Sequence, residues 1–429
     1  MARHIVIVGG GAAGLALATR LGRGHGRAAD VTLIDREHSH VWKPRLHAVA
    51  AGTFDAALGQ VGFLAHASRN GFRYVPGELA ALDASGREII LSPVLDAEGS
   101  ILLDERRVRY DVLVLAVGST ADDFGIPGVR EHCHFIDSRA QAERFNAALR
   151  AATLQCLADD SRHTLDIGIV GGGATGVELA AEIATALDLA AGYGLPGLRD
   201  RLRLSVVEAA PRLLPPLPEE LAHAAHRGLE RLGVRVVTGA SVSEVKEDRL
   251  VLEGGEPVPA TLSVWAAGIR APEAAAQLEG VEHARGGRIV IRPTLQSSVD
   301  DDIFVLGDCA WLAPPGSDDA LPATAQVAQQ QSRHLARAMR GHLAGRALPA
   351  FSHTPRGALV TLGHYDAYGS LANSGTLRNG LFVRGTLAQF SYGLLYRRQQ
   401  ATLHGLPRTM LYWLVDALTA AARPRVRLA

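Results

Sequence analysis

The hydrophobic pattern of the chain is a series of short, β-branched runs, each closed by glycine. Ile5–Val8 is four such residues, too short for a buried helix, and it meets Gly9 before a helical pattern begins; this predicts strand, tight turn and helix. "DVTLID" predicts a second strand ending at Asp35, and "YDVLVLAVGS", Tyr110 to Ser119, a third. A helix is expected near Ser138 to Leu157. The cycle then restarts: "IGIVGGGATGVELA" at Ile167–Ala180 repeats the pattern of "IVIVGGGAAGLALA" at Ile5, and "LRLSVVE" ends a strand at Glu208. "LSVWAAGIRAP" (Leu262–Pro272) mirrors "LVLAVGSTADD". "DDIFVLGDCA" (Asp301–Ala310) supplies another strand, with a helix expected around Thr324 to Met339.

This is an internal repeat at domain scale. Each half reads as a βαβ unit, so the expected class is α/β with two Rossmann-like dinucleotide-binding domains, their parallel sheets covered by helices. The expected order is a first domain over residues 1–118 and 293–365, interrupted by a second over 119–292. A C-terminal region of different character follows at 366–429.

Composition narrows this little. Hydrophobic residues make up 47% of the 429, and 44 basic residues cancel 44 acidic ones, so no overall charge draws the chain to nucleic acid. Cys133, Cys156 and Cys309 show neither CxxC nor metal-ligand spacing, which fits a reducing compartment and predicts no metal site. The N-terminus runs straight into a strand without a signal-peptide pattern, and no run of 18 apolar residues is present. The charge is uneven, however: from Arg384 onward there are seven arginines and one acid, Asp416.

Gly9-x-Gly11-x-x-Gly14 is a dinucleotide fingerprint in its proper context. Gly9 permits the turn, Gly11 lets backbone approach a diphosphate, and Gly14 lets helix pack on strand. Asp35, 21 residues beyond Gly14, is placed to accept from ribose hydroxyls. Gly171-x-Gly173-x-x-Gly176 repeats the motif. Its acid is Glu208, 32 residues on, because "AGYGLPGLRD" lengthens the connection. A carboxylate there repels a 2′-phosphate, which favours NADH over NADPH. Two dinucleotides in one chain suggest electrons passing between them.

Four other features have two readings each. Glu178 stands where the first copy has Ala16; it is either an acceptor for the nicotinamide carboxamide or ribose, or an exposed first-turn acid favoured by the helix dipole. Asp308 either holds ribityl hydroxyls in a flavin domain or is a turn aspartate. In "PATAQVAQQQ", Gln326 and Gln330 share a helix face beside Ala325 and Ala328. That surface suits a quinone carbonyl or an isoalloxazine edge, or is an exposed polar face. In the tail, Leu406, Met410, Trp413, Leu414, Ala417 and Leu418 fall at helical spacing. Arg397, Arg398, Arg408, Arg423, Arg425 and Arg427 flank them. This describes an in-plane membrane helix drawn to anionic lipid, or a helix packed on the protein or on a dimer partner.

Taken together the chain resembles the bacterial type II NADH:quinone oxidoreductases over essentially its whole length. The resemblance rests on "DREHSHVWKPRLHAVAAGTFD", "GGGATGVELAAE", "VEAAPRLLPPLP", "VWAAGIRAP", "IFVLGDCA", "AQVAQQ" and the arginine-flanked tail. It implies non-covalent FAD in the first domain and NADH in the second, where Gly268 lies in the closing run. It places Glu178 beside the nicotinamide, Asp308 and the "WKP" loop with Lys43 at the flavin, and Gln326 and Gln330 at a quinone site. Arg45 departs from the family, which commonly has an apolar residue there. The implied activity is single-subunit, non-proton-pumping NADH:quinone oxidoreduction with ubiquinone or menaquinone. The implied location is peripheral, on the cytoplasmic face of the cell membrane, and a homodimer is compatible with the pattern. The competing expectations are a sulfide:quinone oxidoreductase, which needs a redox cysteine pair, a soluble NADH-dependent flavoprotein reductase, and a flavin-binding sensor.

Overall fold

The computed structural model describes residues 2–25, 29–96, 98–158, 164–192, 199–314, 316–317, 319–363, 366–371 and 381–422. They form two compact units. The first comprises Met1–Lys43, Gly59–Thr120 and Ile269–Thr354; the second comprises Pro44–Leu58, Ala121–Gly268 and Pro355–Ala429.

In the first unit the strand Arg3–Val8 is the centre of a five-stranded sheet. The order is Ile303–Val305, Val112–Leu115, Arg3–Val8, Ala29–Asp35, Arg73–Pro76, and every pairing is parallel. Ile5, Val6 and Ile7 are fully buried, as strands covered on both faces require. Each such side chain taken from water contributes about 1.5–3 kcal/mol before conformational entropy is set against it. The helix Gly14–His25 packs on this sheet and against the helix Ala325–Leu343. The latter is capped by Thr324, whose side chain accepts from the Val327 amide at 3.3 Å.

The second unit repeats the plan strand for strand. Its sheet runs Cys133–His134, Leu262–Trp265, Leu165–Val170, Leu202–Glu208, Val234–Thr238, again wholly parallel. Each unit also carries a three-stranded antiparallel sheet: Arg106–Arg109, Glu88–Leu91 and Leu79–Asp83 in the first, and Val242–Val245, Arg249–Leu252 and Val258–Pro259 in the second. In the second unit that sheet closes a core in which Val242, Val245, Leu250 and Val258 pack with Val170, Val207 and Trp265. The expected helix near Ser138 is present as Arg139–Ala158.

Three further pieces belong to the second unit. The helix Leu46–Ala51, buried along its whole length, packs on the helices Arg139–Ala158 and Ala174–Gly192. The strands Ala358–Leu362, Asp366–Leu371 and Leu381–Arg384 form an antiparallel sheet. The helices Thr386–His404 and Leu406–Ala422 follow it. The expected tail helix is thus observed. Its apolar positions are open to solvent: Leu406 and Met410 are each 67% exposed, Leu418 62% and Trp413 50%. Arg397 pairs with Asp416 at 2.7 Å and ties the two helices together. Among the described residues no helix is long and apolar enough to cross a membrane. Arg423, Arg425 and Arg427 lie outside the described residues, as do 193–198 of the "AGYGLPGLRD" connection and the side chain of Arg384.

Candidate functional site: paired glycine turns and a buried acid

Both glycine turns are built the same way. Gly9 has φ +103° and donates to Ile34 O at 2.8 Å; Gly171 has φ +110° and donates to Val207 O at 2.8 Å. A Cβ on Gly14 would lie 1.9 Å from Gly9 O, and one on Gly176 1.9 Å from Gly171 O, so both third glycines are forced by helix–turn contact. A Cβ on Gly11 or Gly173 would meet nothing within 4 Å, which leaves both middle glycines facing open space. Those are the positions where backbone must come close to a diphosphate at a helix N-terminus.

The two acids also match. Asp35 accepts from the Gly10 amide through one oxygen and from the Glu37 amide through the other at 2.7 Å. Glu208 accepts from the Gly172 amide at 2.6 Å and from the Ala210 amide at 2.8 Å. Each carboxylate therefore fastens the middle of its glycine turn to the end of the neighbouring strand. Each oxygen keeps a lone pair for a ribose hydroxyl. Burial pushes the Asp35 carboxyl up from its ordinary value, against the pull of those backbone donors.

A second group gathers in the first unit. Lys43 Nζ donates to Ser119 O at 3.0 Å, and Ser119 Oγ donates to Asp308 at 2.9 Å. Asp308 lies in the short turn after the strand Ile303–Val305, so the three join the carboxyl ends of two sheet strands. That is where ligands bind in open α/β sheets. His40, buried and hydrogen-bonded to the Gly10 backbone, keeps an Nε2 without a partner; burial lowers its pKa to about 4.

The two glutamines are placed differently from each other. Gln330 clasps one backbone position, donating to Thr354 O at 2.9 Å and accepting from Thr354 N at 3.0 Å, while Gln326 lies half-buried in the first helical turn. Gln331 had no expected role, yet it is buried and accepts from the Gly307 amide at 2.7 Å, holding the turn that carries Asp308. The signal for it was present in the sequence: Val327, Ala328, Gln331 and Leu335 fall at helical spacing and are all buried.

In the second unit Glu178 is not the exposed first-turn acid that was one of its two readings. It is 6% exposed and accepts from the Thr361 amide at 3.0 Å, and its other oxygen lies 3.3 Å from His47 Nδ1. Burial pushes Glu178 up to about 8 and His47 down to about 3. Burial thus drives the pair toward a protonated carboxyl facing a neutral imidazole. Glu182, one helical turn on and also buried, accepts from Thr53 Oγ1 at 2.6 Å. Gly268, in the run after the strand Leu262–Trp265, has φ +65°, and a Cβ there would meet the Phe124 ring at 2.3 Å.

Arg45 has a structural reason of its own. Its guanidinium carbon lies 4.5 Å from the Phe54 ring centroid and 4.4 Å from that of Tyr396, so a cation held between two rings replaces an apolar contact. Burial raises the Cys309 thiol to about 11 and the Cys133 thiol to about 12, away from the reactive thiolate.

Residues 3–332 match the pyridine nucleotide-disulphide oxidoreductase family. The chain is 38% identical, over 99% of its length and 100% of the relative, to the type II NADH:quinone oxidoreductase of Haemophilus influenzae. It is 29% identical, over 86% of its length and 89% of the relative, to that of Staphylococcus aureus. Among solved structures it shares the fold of NDH2 from Plasmodium falciparum in complex with NADH, with TM-score 0.84 at 17% identity and full coverage of both chains. The sulfide:quinone oxidoreductase of Aquifex aeolicus also shares the fold, with TM-score 0.73 at 18% identity, covering 94% of this chain and 92% of that one. Matched from end to end by a relative at this identity and built on two copies of one dinucleotide-binding plan, the chain belongs to the type II NADH:quinone oxidoreductase family.

Proposed function

We propose that this chain is a single-subunit, non-proton-pumping NADH:quinone oxidoreductase that uses non-covalent FAD. The observation that carries the reading is the end-to-end identity to a type II enzyme, joined to the doubled glycine turn. Bound FAD supplies the redox chemistry, taking two electrons from NADH and returning them to a quinone.

The first unit fits FAD. Gly11 opens onto space at a helix N-terminus, Asp35 retains acceptor capacity, and His40 offers an unpaired buried nitrogen beside Gly10. Gly9, Gly11, Gly14 and Asp35 hold the adenosine diphosphate half in this reading, and Lys43 and Asp308 the flavin half. Gly171, Gly173, Gly176, Glu208 and Gly268 receive NADH, with Glu178 at its nicotinamide. The chain's contribution is orientation: backbone amides fixed by Asp35 and Glu208 are set before the ligand arrives. Glu178 adds a buried carboxyl whose oxygens are acceptors for the nicotinamide carboxamide or ribose, with His47 and Thr361 holding it in place.

Gln326 and Gln330 serve the quinone, ubiquinone or menaquinone. The solvent-open apolar positions of Leu406–Ala422, with Arg398 and Arg408 exposed nearby, support peripheral attachment to an anionic membrane; in this reading the face is the cytoplasmic one. The same surface serves a homodimer equally well in physical terms. A sulfide:quinone reaction is disfavoured by the high thiol pKa values and by the identity of the full-length relatives.

The test is reconstitution. The purified flavoprotein, kept anaerobic, should turn over NADH catalytically only when a quinone analogue is present, without requiring sulfide. Sulfide-dependent quinone reduction in the absence of NADH would defeat the proposal.

A further inference from the structure

The first unit holds a concentration of positive charge that the redox reading does not use. The helices Gly14–His25 and Ala325–Leu343 lie against each other, and neither contains an acidic residue. Arg20, Arg333, Arg337 and Arg340 line a groove of about 510 Å³ between their later turns, with Gly24 at its edge. That volume lies within the range of small-molecule sites.

Among the described residues none of these four arginines has a carboxylate partner. Arg20 donates to Ala16 O at 3.1 Å and to Ser332 Oγ at 3.2 Å, and Arg340 donates to Gly24 O at 3.0 Å, so both are held by neutral partners. Arg333 and Arg337 have no hydrogen-bond or ion-pair partner among the described residues, although both lie on the groove. The Arg20 guanidinium is lowered to about 10 by burial and by Arg333, Arg337 and Arg23, and no carboxylate acts in the other direction. The carbonyl ends of the two helices offset part of this repulsion for a suitably placed cation. That effect fades within the last turn, whereas Arg20 and Arg333 lie further in. Like charges spaced three or four apart on a helix repel, so an anion in the groove would relieve several pairs together.

We propose that this groove binds a soluble oligophosphate anion, a phosphate chain either free or carried by a nucleotide, at a site separate from both glycine turns. Guanidinium forks are suited to phosphate oxygens, which they can grip with two parallel hydrogen bonds. Arg333 to Arg340 covers about 10 Å of helix, a span suited to several linked phosphates rather than one. The site differs from the first glycine turn because Arg23 and Gly24 lie about 14 Å along the helix from Gly14, at the end that offers carbonyls. Here side chains, not amides, must recognise the anion. A membrane surface is the poorer partner: no large apolar side chain is exposed on either helix, in contrast to Leu406–Ala422. A Cβ at Gly24 would meet nothing within 4 Å, so the rim of the groove is open to a free ligand.

The experiment is calorimetric titration of the FAD-loaded protein with inorganic tripolyphosphate at about 0.1 M salt, with NAD⁺ saturating so that the second glycine turn is filled. Saturable binding that weakens with added salt is expected. The double variant R333Q/R337Q should weaken it at least about tenfold, with flavin content unchanged. The single variant R337Q, at an exposed position, gives the same reading in smaller degree if the double variant does not fold. ATP binding tighter than tripolyphosphate would identify the source as a nucleotide; equal binding would identify the phosphate chain alone. The proposal is overturned by absence of saturable binding, or by equal affinity in wild type and variant. It is also overturned if the substitutions abolish binding to phosphatidylglycerol vesicles while tripolyphosphate does not bind.

Discussion

The carboxyl of Glu178 and the imidazole of His47 face each other at 3.3 Å inside the second unit, and burial drives both toward their neutral forms. An acid and a base that would form an ion pair at the surface thus stand as an uncharged donor and acceptor. The pair has opposite consequences on the two sides of neutrality.

Glu178 has a folded pKa near 8, above the ordinary carboxylate value of 4.5, so the folded state holds its proton more tightly. Its contribution is fully present below pH 4.5 and is lost as pH rises through 8. His47, lowered from 6.5 to about 3, acts in the reverse sense: its contribution is lost as pH falls from 6.5 toward 3. Melting curves between pH 6 and 9 should therefore show stability declining in the wild type, and E178Q should flatten that decline. An unchanged alkaline slope in E178Q would show that another group is responsible.

Glu178→Ala should raise the KM for NADH while FAD stays bound. Loss of one hydrogen bond to the substrate predicts about a tenfold effect. Steady-state kinetics with flavin quantified per chain measures both. Loss of flavin with normal NADH kinetics would show that Glu178 serves the other unit.

The first and third glycines of a turn should fail differently from the middle one. Gly14→Ala puts a methyl 1.9 Å from Gly9 O and must displace the helix, so it should destabilise the fold by at least about 1–3 kcal/mol. Gly11→Ala meets only open space and should leave the flavin-free protein as stable as wild type while lowering its affinity for FAD. Thermal melting of the two apoproteins, followed by FAD titration, separates the effects.

Much of this was legible in the sequence because it is local. The strand–glycine–helix units and their strand-end acids lie within short spans, and both acids are tied to the glycine turns. The arrangement around Glu178 was not legible, since His47 and Thr361 come from segments far from it along the chain. The glutamine run was only half legible. Spacing pairs Gln326 with Gln330, but which glutamine turns inward depends on the helix packing against the Asp308 turn, and that is Gln331. Arg45 looked like a departure at an apolar position, and its reason appears only when Phe54 and Tyr396 are brought to either side of it.

The solvent-open helix Leu406–Ala422 should carry membrane attachment. Leu414 and Leu418 are 57% and 62% exposed, so L414D/L418D should cost little folding stability. It should weaken binding to anionic vesicles by about tenfold or more, since each leucine removed from lipid forfeits on the order of 1.5–3 kcal/mol. Vesicle sedimentation checks this; unchanged pelleting of the double variant, or of a chain ending after Leu403, would place attachment elsewhere.

The central claim is electron transfer from NADH through bound FAD to a quinone, and an anaerobic titration of the purified flavoprotein tests it most directly. Stoichiometric NADH should bleach the flavin absorbance, and a ubiquinone or menaquinone analogue should then restore it. Flavin that NADH fails to bleach, or that stays bleached when quinone is added, would contradict the assignment.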